Sequence, residues 1–217
     1  MLKTPGYDEA QSGIQQKEEI TPGGHHLIIK QVNETQSKTG KPMVVVLVDF
    51  AQNDKQAGLF MNEFKADERQ DKKWPNRGTQ YIMTQDWQDP SKTSRNFKSF
   101  CTCFEKSNNT QIKWIEDAAA WSAQFKNKKI GGVFGVVHDV YNGREFTKTA
   151  LRWFSTDEFV EASAVPNEKM LSEAQKAQLT QQAETPQSAL DSALSQHPDP
   201  NGFVNIPEGI DEELPFN

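Results

Sequence analysis

Few residues in this sequence are spaced for covalent chemistry. Cys101 and Cys103 stand one residue apart, too close for an unstrained disulfide, and the four histidines (His25, His26, His138, His197) are not at ligand spacing to them. The thiols therefore read as packed or idle, and no metal or cofactor is expected. His138 and Asp139 adjoin in a strand-like run, so they point to opposite faces and form no dyad. Gly131, Gly132 and Gly135 lie inside the same run, not at a strand-to-helix turn, and read as sheet bending. No nucleophile elbow, phosphate loop or zinc pattern is present, so an enzyme is not expected. What remains is non-covalent: flat rings among cations. Trp74, Tyr81 and Trp87 fall in a polar stretch with Lys72, Lys73, Arg77, Lys92 and Arg95, with little apolar company. Single-stranded nucleic acid asks for such a pairing, cations for phosphates and rings for bases, at about 1–3 kcal/mol per stacked base.

Further candidates flank that stretch. Lys30, Lys38 and Lys41 surround a turn-rich segment, Asn33 to Lys41, and join Lys72, Lys73 and Arg77 as phosphate candidates. Near the end of the polar body, the period of two puts Lys148 and Arg152 on one strand face with Phe146 and Phe154, and Thr147, Thr149, Leu151 and Trp153 on the other. Tyr141 and Trp153 complete the set of candidate rings. Each ring could equally pin a loop to the core, each lysine could serve only solubility, and the Lys148 face could be solvated with long stems lying over rings. Trp114, Trp121, Phe125, Phe97, Phe100 and Phe104 sit among apolar neighbours and read as core.

The elements that must hold these residues are mostly strands. His26–Val32 is β-branched and of strand length, and Met43–Phe50 is an unbroken apolar run that predicts a strand buried on both faces. Together with the basic turn they predict a hairpin with a mobile loop. Leu59–Phe64 predicts a third strand, and residues 65–96 read as irregular, broken by Trp74-Pro75 and Asp89-Pro90. Phe97, Phe100, Cys101 and Phe104 recur at helical spacing after a capping Ser94, and a second short helix is expected from about Asp117 to Phe125. Ile130–Val140 and Glu145–Phe154 read as strands joined at Asn142-Gly143, with a last helical turn over Asp157–Ala162.

Charge divides the chain. Residues 1–160 hold 22 basic and 20 acidic side chains; residues 161–217 hold 2 basic and 10 acidic. The net charge of -6 therefore belongs to the C-terminal part, and the body is close to neutral. Residues 163–207 are rich in Gln, Ser, Ala, Glu and Pro, with Phe203 as their one aromatic, and cannot bury enough apolar area to offset ordering entropy. They read as a disordered linker, in which Glu168–Ala183 could form a transient helix. Residues 1–19 read as a flexible arm without a secretory pattern, and no apolar run approaches the roughly 20 residues that span a bilayer, so a cytoplasmic protein with no membrane partner is expected.

The sequence closes on Asp211-Glu212-Glu213-Leu214-Pro215-Phe216, followed by Asn217. Acids before Leu-Pro-Phe resemble the tail tip of bacterial and phage single-stranded DNA-binding proteins, although in that family the Phe is the usual last residue. The resemblance implies that Phe216 fills an apolar pocket on replication or recombination proteins while Leu214, Pro215 and the three acids support it. The Gly23–Val48 segment, a strand, a Ser-Lys-Thr-Gly-Lys-Pro turn and an apolar strand, likewise resembles the opening of phage replication-module proteins. The expected architecture is mainly β with small helices: an OB-like five-stranded barrel over 20–162 with an inserted helical and irregular segment, a linker over 163–207 and a docking tip over 208–217. The expected function is sequence-independent binding of single-stranded DNA in phage replication or recombination. A strand-annealing recombinase and a replisome adaptor that binds no DNA stay open as alternatives, as does homo-oligomerisation.

Overall fold

The computed structural model describes residues 18–142 and 144–183. The expected tip and most of the expected arm and linker lie outside these residues. Five strands form one sheet in the order β3-β2-β1-β4-β5. They are β1 (Gly23–Gln36), β2 (Pro42–Phe50), β3 (Thr79–Met83), β4 (Lys129–Tyr141) and β5 (Arg144–Ser155). The β1–β2, β1–β4 and β2–β3 pairs are antiparallel. β1 is central because it is long enough to serve two neighbours. It pairs with β2 from Leu27 to Gln36 and with β4 from Gly23 to Ile28, with a register shift between Ile29 and Gln31. The sheet is mainly β as expected, but its edges, β3 and β5, are not joined, so the expected closed barrel is not seen among the described residues.

One face of the sheet makes the core. Leu27, Ile29 and Val32 of β1 stand beside Val44, Val46, Val48 and Phe50 of β2, all buried. Two helices inserted between β3 and β4 close this core. In α2 (Arg95–Asn108), Phe97, Phe100, Cys101 and Phe104 are buried, and the Ser94 hydroxyl accepts a bond from Phe97 N at 3.2 Å. In α3 (Ala118–Ala123), the Asp117 carboxylate accepts from Ala119 N and Ala120 N at 2.8 and 3.0 Å, while Trp121 and the following Phe125 are buried. Both helices match the periodicity of their phenylalanines and tryptophan.

Other expectations are corrected. The Leu59–Phe64 strand is instead helix α1 (Leu59–Ala66). Leu59 and Phe60 are buried, and the Asp49 carboxylate accepts from both Phe50 N and Phe60 N at 3.0 Å, which ties the helix start to the end of β2. The third strand is Thr79–Met83, in the stretch read as irregular; it is short, and Ile82 is its one buried residue. β2 is not buried on both faces: Val44, Val46 and Val48 are buried, whereas Met43, Val45 and Leu47 are half-buried. Trp114, expected in the core, is 69% exposed and stacks against Trp121 at 6.3 Å. The segment after Asp157 makes turns without a helix.

That segment still shapes the sheet. A Cβ on Gly24 would sit 1.8 Å from the Val160 carbonyl oxygen, and one on Gly131 would sit 2.7 Å from that of Thr156. Neighbouring strands therefore carry glycine where another backbone crosses them. Farther on, Lys169 N donates to Val136 O and His138 N donates to Lys169 O, both at 2.9 Å, so the chain stays bonded to β4 beyond residue 163. The chain divides into two compact units; the packing described above lies in the first, whose described residues are 18–138 and 147–170, while the end of β4 and the start of β5 belong to the second. In the second, the described residues are the β4–β5 tip and residues 171–183. There α4 (Glu173–Ala183) starts at a Ser172 that bonds Gln175, and Gln175 Nε2 donates to Asp139 Oδ1 at 3.0 Å. No helix among the described residues is long and apolar enough to cross a membrane.

Candidate nucleic-acid interface

Cross-strand pairs project their side chains to the same face. On the face opposite the core, the register therefore makes rows: Thr35, Met43 and Met83; then Asn33, Val45 and Tyr81; then Gln31, Leu47 and Thr79. Apolar β2 side chains in these rows are only half-buried, and Tyr81 is 65% exposed. The face is thus a shallow apolar floor with an aromatic ring at its β3 side.

A loop beyond β3 adds a second ring. Gln85 and Thr93 form a bridge, Asp86 N donates to Lys92 O at 2.8 Å and Ser94 N donates to Thr84 O at 2.9 Å, so the loop is closed at its base. The Asp86 carboxylate is spent on Gln88 N and Asp89 N, and Asp89 pairs with Lys92 at 2.9 Å. Hydrogen bonds from Ser91 and then the Lys92 ammonium hold the Asp89 carboxyl below its ordinary value. With its acids occupied in this way, the loop presents Trp87, which is 72% exposed. Lys41 Nζ lies 3.4 Å from the indole centroid and covers one face of the ring. Lys41, Met83, Trp87 and Arg95 line one hollow of about 290 Å³.

The β1–β2 turn supplies more charge at the same end. Ser37 N donates to Lys41 O at 2.8 Å, Lys41 N donates to the Ser37 hydroxyl at 3.0 Å, and Gly40 takes a φ of 76°. This bonding leaves Lys38 exposed at the turn. Among the expected site residues, the structure thus brings together Lys41 and Trp87, with Tyr81 on the adjoining face and Lys38 on the neighbouring turn.

The others are placed differently. Trp74 Nε1 donates to Val48 O at 3.1 Å and its ring packs against the core and Phe64, so it pins its loop. Arg77 bonds the Glu63 carboxylate and the Glu18 carbonyl, and burial lowers its basicity. Lys72 lies 4.9 Å from the Phe64 ring, and Lys73 is exposed beside it. Lys30 Nζ is 3.7 Å from the buried Asp49 carboxylate. Lys148 is exposed on β5, and Arg152 donates to Asn167 O at 3.0 Å. Asp211, Glu212, Glu213, Leu214, Pro215 and Phe216 lie outside the described residues.

Sequence reasoning missed Met43, Val45 and Met83 as the floor of the face, whereas Arg95, noted among the cations of the ring-bearing stretch, does line the hollow. The alternation that separates Val44 and Val46 from Met43 and Val45 is invisible where both sets are apolar. Among the described residues no group of His, Cys, Asp and Glu could hold a metal ion. No protein-family model matches this chain, and no curated protein matches it in sequence.

Proposed function

We propose that this chain binds single-stranded DNA without sequence preference and works in the cytoplasm during replication or recombination. In this reading the acidic tip, Asp211 to Phe216, docks partner proteins. The observation that carries it is the open β1–β2–β3 face, where Tyr81 and Trp87 are exposed and Lys38, Lys41 and Arg95 supply charge. Rings free to stack and cations free to meet phosphates are the two requirements of sequence-tolerant strand binding. The strand order supports the reading. A central β1 paired with both β2 and β4, with helices between β3 and β4, suits an OB-like, partly open barrel. In OB folds the strand 2–3 face and the loop joining strands 1 and 2 bind oligonucleotides. Here that face carries Tyr81 and that loop carries Lys38.

Fluorescence anisotropy with labelled oligo-dT and a duplex of equal length tests this. Binding of the single strand that weakens with salt, and much weaker binding of the duplex, is expected. Equal binding of both, or of neither, overturns it. Two complementary strands held and paired faster by the protein would favour the annealing alternative, and no binding of either nucleic acid would leave the adaptor alternative.

A further inference from the structure

The open face has a second boundary that the sequence did not mark. β4 pairs with β1 only as far as Ile28, so from Lys30 onward one edge of β1 has no strand partner among the described residues, and α3 lies beside it. Between them runs a groove of about 560 Å³, lined by Lys30, Asn33, Ser122 and Lys126 among others. Ala118, Ala119 and Ala123 form the helix side of the groove, and their small side chains keep it open.

The turn after α3 places Lys126 in this groove, with Lys128 and Lys129 following it along the chain. Asn127 N donates to Ile29 O at 2.8 Å, Ile29 N donates to Lys128 O at 2.9 Å, and Asn127 takes a φ of 60°. Those bonds fix Lys126, Lys128 and Lys129 next to the bulge that carries Lys30. The three lysines are exposed and have no ion pair among the described residues. Among the described residues Glu34 is the one acid lining the groove, and Lys30 is itself shared with Asp49 at 3.7 Å. Lys126 and Glu34 thus balance within the groove, and the exposed Lys128 and Lys129 that follow Lys126 make the surplus charge beside it positive. Asn33 belongs to both features: it lines the groove, and it stands opposite Val45, which stands opposite Tyr81.

We propose that this groove carries the sugar-phosphate backbone of the strand as it leaves the aromatic face, an inference that rests on the single-strand reading above. Lys126 and Lys128 would neutralise phosphates, and Asn33 and Ser122 would offer hydrogen bonds. The occupant is a phosphodiester chain, because the groove offers cations and small polar groups and, among the described residues, no ring for a base.

The test uses the full chain, its Lys126→Gln/Lys128→Gln variant, and labelled oligo-dT of about six and about twenty nucleotides, lengths that bracket typical single-domain sites. Each phosphate contact contributes about 0.7 to the salt slope of a single strand, so the slope for the long strand should fall by about 1.4. At low salt its affinity should fall on the order of tenfold or more, while the short strand changes by less than about twofold. Ala119→Glu, which puts a carboxylate on the helix side with the lysines intact, should weaken the long strand in the same way. If the unmodified chain binds both strands and neither variant alters the long-strand slope, the groove carries no strand and the aromatic face stands alone. Equal weakening of both lengths would mean a general charge effect and would also overturn the groove. If the unmodified chain binds neither strand, the single-strand reading fails and the groove assignment fails with it.

Discussion

Replacing Trp87 by alanine removes a ring from the open face and nothing from the core. The indole is 72% exposed, and Lys41 Nζ lies 3.4 Å from its centroid, so one side of the ring is covered and the other can take one base. The loss is then one stacked base, about 1–3 kcal/mol, which is roughly fivefold to 150-fold in Kd. The salt slope should hold, because the ring neutralises no phosphate. Stability should move by no more than about 1 kcal/mol, the scale of a surface change plus an exposed cation–π contact. Trp87→Phe should keep most of the affinity. Anisotropy with oligo-dT at several salt concentrations, alongside thermal unfolding, reads all three quantities. An unchanged Kd in a chain that otherwise binds would refute stacking at this position. A large drop in melting temperature would show instead that Trp87 pins its loop, as Trp74 does.

Three further outcomes follow from the fold. Gly24→Ala would place a methyl 1.8 Å from the Val160 carbonyl oxygen, so it should destabilise by several kcal/mol in denaturant unfolding, whereas Gly40→Ala, in open space, should cost only the strain of its positive φ, about 1 kcal/mol. His26 links β1 to the later chain, with Nδ1 2.7 Å from Asp157 and Nε2 3.1 Å from Glu161. Burial alone would lower its pKa, but the hydrogen bonds and charges of the two carboxylates outweigh it, and the value is raised above 6.5. Its contribution to stability is therefore complete below about pH 6.5 and is lost as pH rises through the raised folded value. The unfolding midpoint should fall across that range in the native chain and less so in His26→Gln; an equal fall in both would contradict the assignment. Burial pushes the Cys101 thiol up to about 12, so a thiol reagent at neutral pH should label it slowly in the folded chain and rapidly in denaturant. Fast labelling of the folded chain would mean that α2 is not packed as described.

The helices and the long strands were legible because their signals are local. Phe97, Phe100, Cys101 and Phe104 keep helical spacing behind a Ser94 cap, and Asn142-Gly143 marks the β4–β5 reversal. α1 was misread because Leu59 and Phe60 are adjacent, as in a buried strand; the decisive bond comes from Asp49, eleven residues away from Phe60. β3 escaped because its pairing with β2 is tertiary and its residues alternate weakly. At the site, exposure could not be read from residue type. Trp74 and Trp87 sit in the same kind of polar stretch, yet one donates to Val48 O and the other stands in solvent under Lys41. Trp114 shows the converse, an aromatic among apolar neighbours that lies outside the core. The groove beside α3 depends on where β4 stops pairing with β1, which no local pattern records.

The most direct test is a tryptophan fluorescence titration with oligo-dT at low and moderate salt, with duplex DNA as the control, on the native chain and on Trp87→Phe. Trp74 and Trp121 are packed; Trp114 and Trp153 are exposed but are not among the residues of the β1–β2–β3 face, whereas Trp87 stands open beside it, so stacking on that face should quench the native chain and quench Trp87→Phe much less. Quenching by the single strand that weakens with salt, little response to duplex, and loss of most of the signal with Trp87 are expected. No quenching at either salt, or the same quenching with and without Trp87, would contradict the claim that this face binds the strand.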